Sequence, residues 1–449
     1  MLSHLPRTGQ SAAARGTSYK RGRRPRSGTG RLSRKAARGN SYENRPAVQC
    51  DNAARNSFVA IPGLYEIEGA NFSQWNIHQL MDKVQPSSDS TKGFGGLVNM
   101  GLTCYGNAVM QNLRHLSKLT WIMEEGKYNT LFKKGVAPDT RRAKLQGVTQ
   151  AFAEIVQFLE KCRMGQSVRP GTFWSRLPRA VDDTLYEQLA SKQCHDSHEF
   201  FLFLLEAIHE ATTQEVDMRI VRPAPTTPEE VLVHGALKAW QDAFSKEYSP
   251  FVHMFYGMFH QKTTCETCKN VSHRWEPFNA LKIPVKAQAL NQPCNVLSAL
   301  HDDMLKEEVI DEYVCEKCGP PRKPAKKSVS IWRLPLTLVL TLKRWDERQQ
   351  KVNVPVAPLP LTPIDFTPYF SPESPESRGE VRYTLRGIVD HHGGAGGGHY
   401  TAQCEHNGNN NWYTYDDESV NEMAAGPHFG HTTYMMFLER YTGGAAKEA

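Results

Sequence analysis

No apolar run in this chain comes near the length that crosses a bilayer; the longest, FFLFLLEAI and LPLTLVLTL, are about half of what is needed. A membrane-spanning role is excluded on that reading. A charged-then-apolar leader is missing as well. The ten cysteines are therefore expected in a reducing compartment, cytoplasmic or nuclear, as thiols and metal ligands rather than disulfides. There is no internal repeat. Acidic side chains are almost absent from the first 45 residues, where Glu43 stands alone against 12 Lys and Arg.

That imbalance divides the chain in two. Of 54 basic and 47 acidic residues, 42 and 46 fall beyond position 45, so a basic arm precedes a mildly acidic globule. The arm, with KRGRRPRSGTGRLSRKAARGN at its centre, has too few large apolar residues to order itself. It can serve as a solvated linker, as a nuclear-import or RNA-binding patch that attracts phosphate, or as a transit peptide. The last lacks its amphipathic stripe. Weak contact with RNA or another polyanion through residues 1–45 is the partner expected of it, and no membrane.

A total of 449 residues with 39% hydrophobic content can bury one large core or two modest ones. The polar, glycine-rich KVQPSSDSTKGFGG (83–96) marks the main boundary. The expected organisation is a disordered arm and linker over 1–93, a folded domain over 94–441 and a short tail over 442–449. Helices are predicted from Cys104 to about Leu119, with Val109, Leu113 and Leu116 on one stripe, and over 145–162, 196–211 and 229–244. Strands dominate afterwards. Leu334, Leu336, Leu338, Leu340 and Leu342 recur with period two, and TLRGIVD, HYTAQCE, NWYTYD and TYMMFLER are β-prone. Helices first and antiparallel strands later predict a segregated α+β fold.

Cys104 opens a helix after a glycine-punctuated turn, where unpaired N–H groups and the helix dipole favour a thiolate. His399, on a glycine-rich strand edge, supplies a base, and Asp416 or Asp417 beyond it a carboxylate to hold the imidazole. The bland alternatives are a buried thiol, a strand histidine satisfied by backbone, and two turn-forming aspartates. Separately, Cys265 and Cys268, and Cys315 and Cys318, form two CxxC pairs. Two such knuckles suit one closed, structural zinc site, against reduced thiols or redox pairs. No organic cofactor is expected.

GLVNMGLTCYGNAVMQNL resembles the cysteine box of the ubiquitin-specific proteases. YTLRGIVDHHGGAGGGHYTAQ with WYTYDDESV resembles their histidine box, HDSHEFFLFLLEAIHE their acidic-helix motif, and LPLTLVLTLKRW a core strand. All four occur in the family's order over about 94–441. The resemblance implies a papain-like cysteine protease fold: a helical thumb (about 94–245), then a β-rich palm and zinc-tipped fingers (about 246–441). It implies Cys104 as nucleophile, His399 as general base and acid, Asp416 as the orienting carboxylate with Asp417 assisting, and Asn99 as oxyanion donor. Asp196, Glu199, Gly398 and Tyr400 match positions around the ubiquitin C-terminal tail, so ubiquitin and ubiquitinated proteins are the implied partners.

Leu102 departs from the family's usual asparagine, and Cys194 and His195 stand where two glutamines are common. Two rival readings remain: a ubiquitin-binding protein without turnover, and a nucleic-acid-binding zinc protein built on the arm and the CxxC pairs.

Overall fold

The computed structural model describes residues 65–68, 89–124, 127–220, 224–286, 292–348, 350–394 and 397–441. The whole basic arm, Cys50 and the tail lie outside the described residues. Strand β1 (Tyr65–Glu68) pairs antiparallel with β4 (Asp217–Ile220), so the folded body recruits backbone ahead of the boundary at 94 that composition suggests. The short β2 (Gly96–Leu97) pairs parallel with β3 (Ser167–Val168).

The helices form the first lobe: α1 (Cys104–Arg114), α2 (Ser117–Ile122), α3 (Arg141–Lys161), α4 (Gly171–Val181), α5 (Ser197–Thr212), α6 (Pro228–Phe244) and α7 (Pro250–Phe255). The single helix expected from Cys104 to Leu119 is two, with Leu116 extended at φ −81°, ψ 107° between them. Nor is α1 amphipathic in use, since every one of its residues is buried. Its polar side chains reach distant backbone instead. Gln111 donates to the Gly95 carbonyl (3.0 Å), Asn112 to Ile388 (3.1 Å), and fully buried Arg114 to Gly93 (2.8 Å) and Glu160 (3.0 Å). A buried polar group is tolerable only when so paired. Asp196 caps α5 by accepting from the His198 and Glu199 N–H groups (2.7 and 3.1 Å). Thr227 and Glu230 form a capping box on α6.

Beyond the helices, β5 (Gly257–Cys265), β6 (Val271–Phe278), β8 (Glu308–Tyr313) and β9 (Lys323–Arg333) build a four-stranded sheet in the order β6-β5-β9-β8. It projects with both CxxC turns at its end. The larger sheet contains β7 (Leu281–Pro284), β10 (Thr337–Lys343), β11 (Ile364–Asp365), β12 (Arg382–Gly394), β13 (Gly397–Glu405), β14 (Trp412–Asp416), β15 (Ser419–Glu422) and β16 (Thr433–Arg440). Its order is β15-β14-β13-β12-β16-β10-β7, with β11 against β12.

The centre of this sheet, β10 and β16, is buried on both faces. Leu338, Leu340 and Leu342 enter one core with Ile283, Ile388 and Leu438, while Val339 faces the helical core with Phe437 and Phe201. The leucine period of two therefore sorts residues between two apolar layers rather than between core and water. Helix α1 packs against β12 and β13, which brings the start of the domain to its end.

Candidate active site

Residues 99–103 make the turn that delivers Cys104. Gly101 has φ +102° and Leu102 φ +58°, a left-handed backbone that a leucine adopts only at a cost of about 1–2 kcal/mol. The carbonyl oxygen of Asn99's side chain holds the turn by accepting from the Gly101 and Thr103 N–H groups (3.0 and 3.2 Å). The Thr103 carbonyl takes the N–H groups of Gly106 and Asn107 (3.0 Å each), leaving those of the first α1 residues directed at the site.

From the other end of the chain, β13 brings His399 and β14 ends on Asp416. The His399 Nε2 and Asp416 Oδ1 atoms lie 2.6 Å apart. His399 also hydrogen-bonds Cys104, and the Tyr400 backbone N–H donates to the same sulfur. The nearly enclosed Cys104 thiol (3% exposed) is thereby drawn down to about 6. A hydrogen bond from Cys194 is the largest cause; burial opposes it, and the Tyr400 N–H and the hydrogen bond and charge of His399 add to it. For His399, burial disfavours the imidazolium. Hydrogen bonds to Asp416 and Cys104 and the negative charge of both outweigh that, and its pKa is raised.

Asp417 brings a carboxylate oxygen within 4.8 Å of the His399 ring nitrogen and of Asp416, but its hydrogen bonds go to asparagines. In the two-residue turn between β14 and β15, at φ +50°, it accepts from Asn99 Nδ2 and Asn107 Nδ2, each at 2.8 Å. Its own carbonyl accepts from Leu97 N–H (2.8 Å). Asn99, expected as oxyanion donor, thus commits one of its two amide hydrogens to Asp417.

A cleft of about 650 Å³ opens beside the sulfur, lined by Leu102, Cys194, Asp196, Trp345, Gly398 and Tyr400 among others. Asp196 spends its carboxylate on the α5 cap and on the Tyr434 hydroxyl (2.7 Å). Glu199, half-buried, accepts from Gln188. Gly398 leaves no room for a side chain: a Cβ there would lie 2.4 Å from both His391 Nε2 and the His392 carbonyl. Tyr400 is buried and packs on His391 (4.6 Å between rings).

The four knuckle sulfurs gather at the end of the projecting sheet, all within 4.8 Å of one another. Cys265 and Cys318 are 4.0 Å apart, and Cys268 and Cys315 3.6 Å. Both turns share one geometry. Lys269 N–H bonds to the Cys265 carbonyl and Gly319 N–H to that of Cys315, with Lys269 and Gly319 both left-handed. Thiolates each about 2.3 Å from a central ion would stand about 3.8 Å from one another, so the donor set fits a tetrahedral metal.

Trp345, Asn107, Cys194 and the bracketing role of Asp417 are absent from the sequence-derived roles. Only Cys194 gave a signal, as a thiol in a motif position where the resembled family has glutamine.

A helical lobe seated on a sheet, with thiol, imidazole and carboxylate meeting at the seam, is the architecture of the papain-like cysteine hydrolases. More narrowly, the chain belongs to the ubiquitin carboxyl-terminal hydrolase family, whose model matches residues 95–438. It is 28% identical over 364 residues to ubiquitin carboxyl-terminal hydrolase 2 of Bos taurus, covering 79% of this chain and 56% of that protein. Against ubiquitin carboxyl-terminal hydrolase 5 of Saccharomyces cerevisiae it is 25% identical over 371 residues, 77% of this chain and 44% of that one. The chain spans about half the length of these curated relatives. Among solved structures, the SAGA DUB module of Ubp8, Sgf11, Sus1 and Sgf73 bound to monoubiquitin shares the fold. There the TM-score is 0.58 at 21% identity, over 84% of this chain and 77% of that one.

Proposed function

We propose that this protein is a cysteine-type deubiquitinase, hydrolysing the isopeptide or peptide bond after the C-terminal glycine of ubiquitin through an acyl-thioester. One observation carries the reading: Cys104, His399 and Asp416, drawn from opposite ends of the domain, are gathered together, with His399 bonded to Asp416 and acting on the Cys104 thiol, next to residues that line a cleft. A chain that only bound ubiquitin, or bound nucleic acid through its arm, would have no use for that arrangement.

The steps follow from the atoms present. The Cys104 thiolate attacks the glycine carbonyl, and the oxyanion forms where the Cys104 backbone N–H and the remaining Asn99 amide hydrogen can reach it. One such donor is typically worth about 3 kcal/mol of barrier. With Nε2 committed to Asp416, His399 presents Nδ1 to the sulfur side and protonates the departing lysine amine. Water, deprotonated by the now neutral imidazole, then releases ubiquitin and restores the thiolate.

The cleft accounts for selectivity. Gly398 and Tyr400 line the passage, where the bare backbone of Gly398 suits close approach of a Gly-Gly terminus, and Asp196 and Glu199 offer negative charge to a basic tail. Cys265, Cys268, Cys315 and Cys318 would hold one structural zinc, closed to substrate and fixing the tip of the sheet that meets ubiquitin's globular body. Polyanion contact through residues 1–45, and a cytoplasmic or nuclear location, rest on charge and free thiols alone.

A ubiquitin C-terminal electrophile tests the proposal. It should label Cys104 stoichiometrically and leave Cys104→Ala unlabelled. Absence of labelling in protein shown to bind ubiquitin would overturn the enzymatic reading.

A further inference from the structure

Beside the nucleophile stands a second thiol that hydrolysis does not call for. Cys194 lies in the segment leading into the α5 cap, half-buried on the cleft wall. Its Sγ contacts the Gly398 carbonyl at 3.8 Å, one residue from His399, and the residues just after each cysteine, Tyr105 and His195, meet ring to ring at 5.4 Å, which sets Cys194 next to Cys104. The two sulfurs thus occupy one small space, one of them held as an anion and the other held as a thiol. Proximity of this kind has a chemical consequence that burial alone would not.

A thiolate at neutral pH is the form that peroxide oxidises, and the sulfenic acid it yields is either captured by a nearby thiol or oxidised further beyond recovery. Cys104 is the low-pKa member, and its neighbours Leu102, Cys194 and Tyr400 line the cleft. Cys194 keeps its proton well above the ordinary thiol range, because it donates to Cys104 and is partly desolvated. It is therefore a poor target for peroxide while Cys104 is an anion; oxidation of Cys104 removes that negative charge and with it the main restraint on Cys194 as a nucleophile. The remaining described cysteines are the four knuckle thiols and the separate Cys162, Cys294 and Cys404.

We propose that Cys194 is a resolving cysteine, which captures peroxide-oxidised Cys104 as a reversible Cys104–Cys194 disulfide. In the first step the Cys104 thiolate attacks peroxide; an S–O bond forms, the O–O bond breaks, and hydroxide leaves. Sulfur loses two electrons and the peroxide gains them. In the second step the Cys194 sulfur attacks the sulfenic sulfur; the S–S bond forms, the S–O bond breaks, and the oxygen departs as water with the Cys194 proton. A dithiol reverses the link by exchange. Chemically, the modification is a two-electron oxidation that inactivates the site and spares it from the sulfinic state. The inference rests on the reading of Cys104 as a reactive thiolate, and its readout is the mass of the protein rather than its turnover.

The full-length, zinc-loaded protein would be exposed to hydrogen peroxide, quenched with an alkylating agent, digested and mapped by mass spectrometry. The expected result is a peptide pair linking Cys104 to Cys194, lighter by about 2 Da than the two thiols, that dithiothreitol separates. In Cys194→Ser the same treatment should instead add about 32 Da to Cys104, with dithiothreitol recovering less than a tenth of each sample's own untreated probe labelling. Oxidation of Cys104 in the wild-type protein without a link to Cys194 would overturn the proposal. So would a wild-type Cys104 that peroxide leaves unchanged. Failure of the hydrolase reading would show separately, as a reducible link in a protein that the ubiquitin electrophile never labels.

Discussion

Asn99 donates its amide N–H to Asp417 at 2.8 Å across 318 positions of sequence. This bond, with its partner from Asn107, fastens the strained turn before the nucleophile to the turn after Asp416. A displacement of either turn therefore moves thiol and carboxylate together. Asp417 holds the frame in which Cys104, His399 and Asp416 meet.

Replacing Asp417 with alanine should loosen that frame while leaving the three reacting groups in place. Hydrogen bonds to a charged partner are worth about 1.5–3 kcal/mol each, and here two are lost together. A fall in kcat of about 10–100-fold is expected with KM nearly unchanged, measured on a ubiquitin fluorogenic substrate. An equal loss in Asp417→Asn would be consistent, since an amide offers only one acceptor to two donors. Unaltered kcat in both would exclude the bracket as a determinant of rate.

Asp416→Asn removes the charge that supports the imidazolium. Because Asp416 raises the His399 pKa against burial, its neutralisation should lower that pKa. The protonated histidine needed by the leaving amine would then be lost at lower pH, so the alkaline limb of kcat/KM shifts down. A rate loss of about 10²-fold or more accompanies it by analogy with carboxylates that fix a catalytic tautomer. An unmoved alkaline limb would assign the limb to another group.

The acid side reports Cys104. Iodoacetamide alkylation of this residue should follow a titration near pH 6. In Cys194→Ala, loss of the leading hydrogen bond to the thiolate should move that midpoint upward, toward the range of a free thiol, with the reaction at pH 6 slowed several-fold. A midpoint that stays put would show that His399 and the Tyr400 N–H suffice.

Chelation should act at a distance from the chemistry. One zinc per chain is expected by elemental analysis, and its removal, or Cys315→Ser, should lower the melting temperature and weaken ubiquitin binding at least several-fold. Alkylation of Cys104 should keep its pH dependence, because the four-sulfur cluster sits on the projecting sheet and the thiol on α1. A metal content of zero in active protein would remove the zinc assignment.

The sequence is legible where pattern and packing agree. The Asp196 cap and the apolar run behind it mark α5 to within one residue at each end, and the leucine alternation marks β10. Other elements defy their local signals. Helix α4 carries Pro178 inside it, and β6 is mostly exposed and polar, so neither presents a clean period. No glycine or proline announces the break at Leu116, where the backbone turns extended between two helical segments. For the site, residue type pointed to Cys104, His399 and Asp416, but only spatial proximity reveals that Asp417 serves Asn99 and Asn107, or that Cys194 faces the nucleophile.

The strand order carries a consequence for synthesis. The last strand among the described residues, β16, lies in the middle of the large sheet, with β12 on one side and β10 on the other. Until the ribosome has released it, the half-sheet bearing histidine and aspartate has no bonded neighbour toward β10, and Tyr434 is not yet there to meet Asp196. A nascent or prematurely terminated chain should therefore hold all its reactive groups and still be inert, acquiring competence in a single late closure.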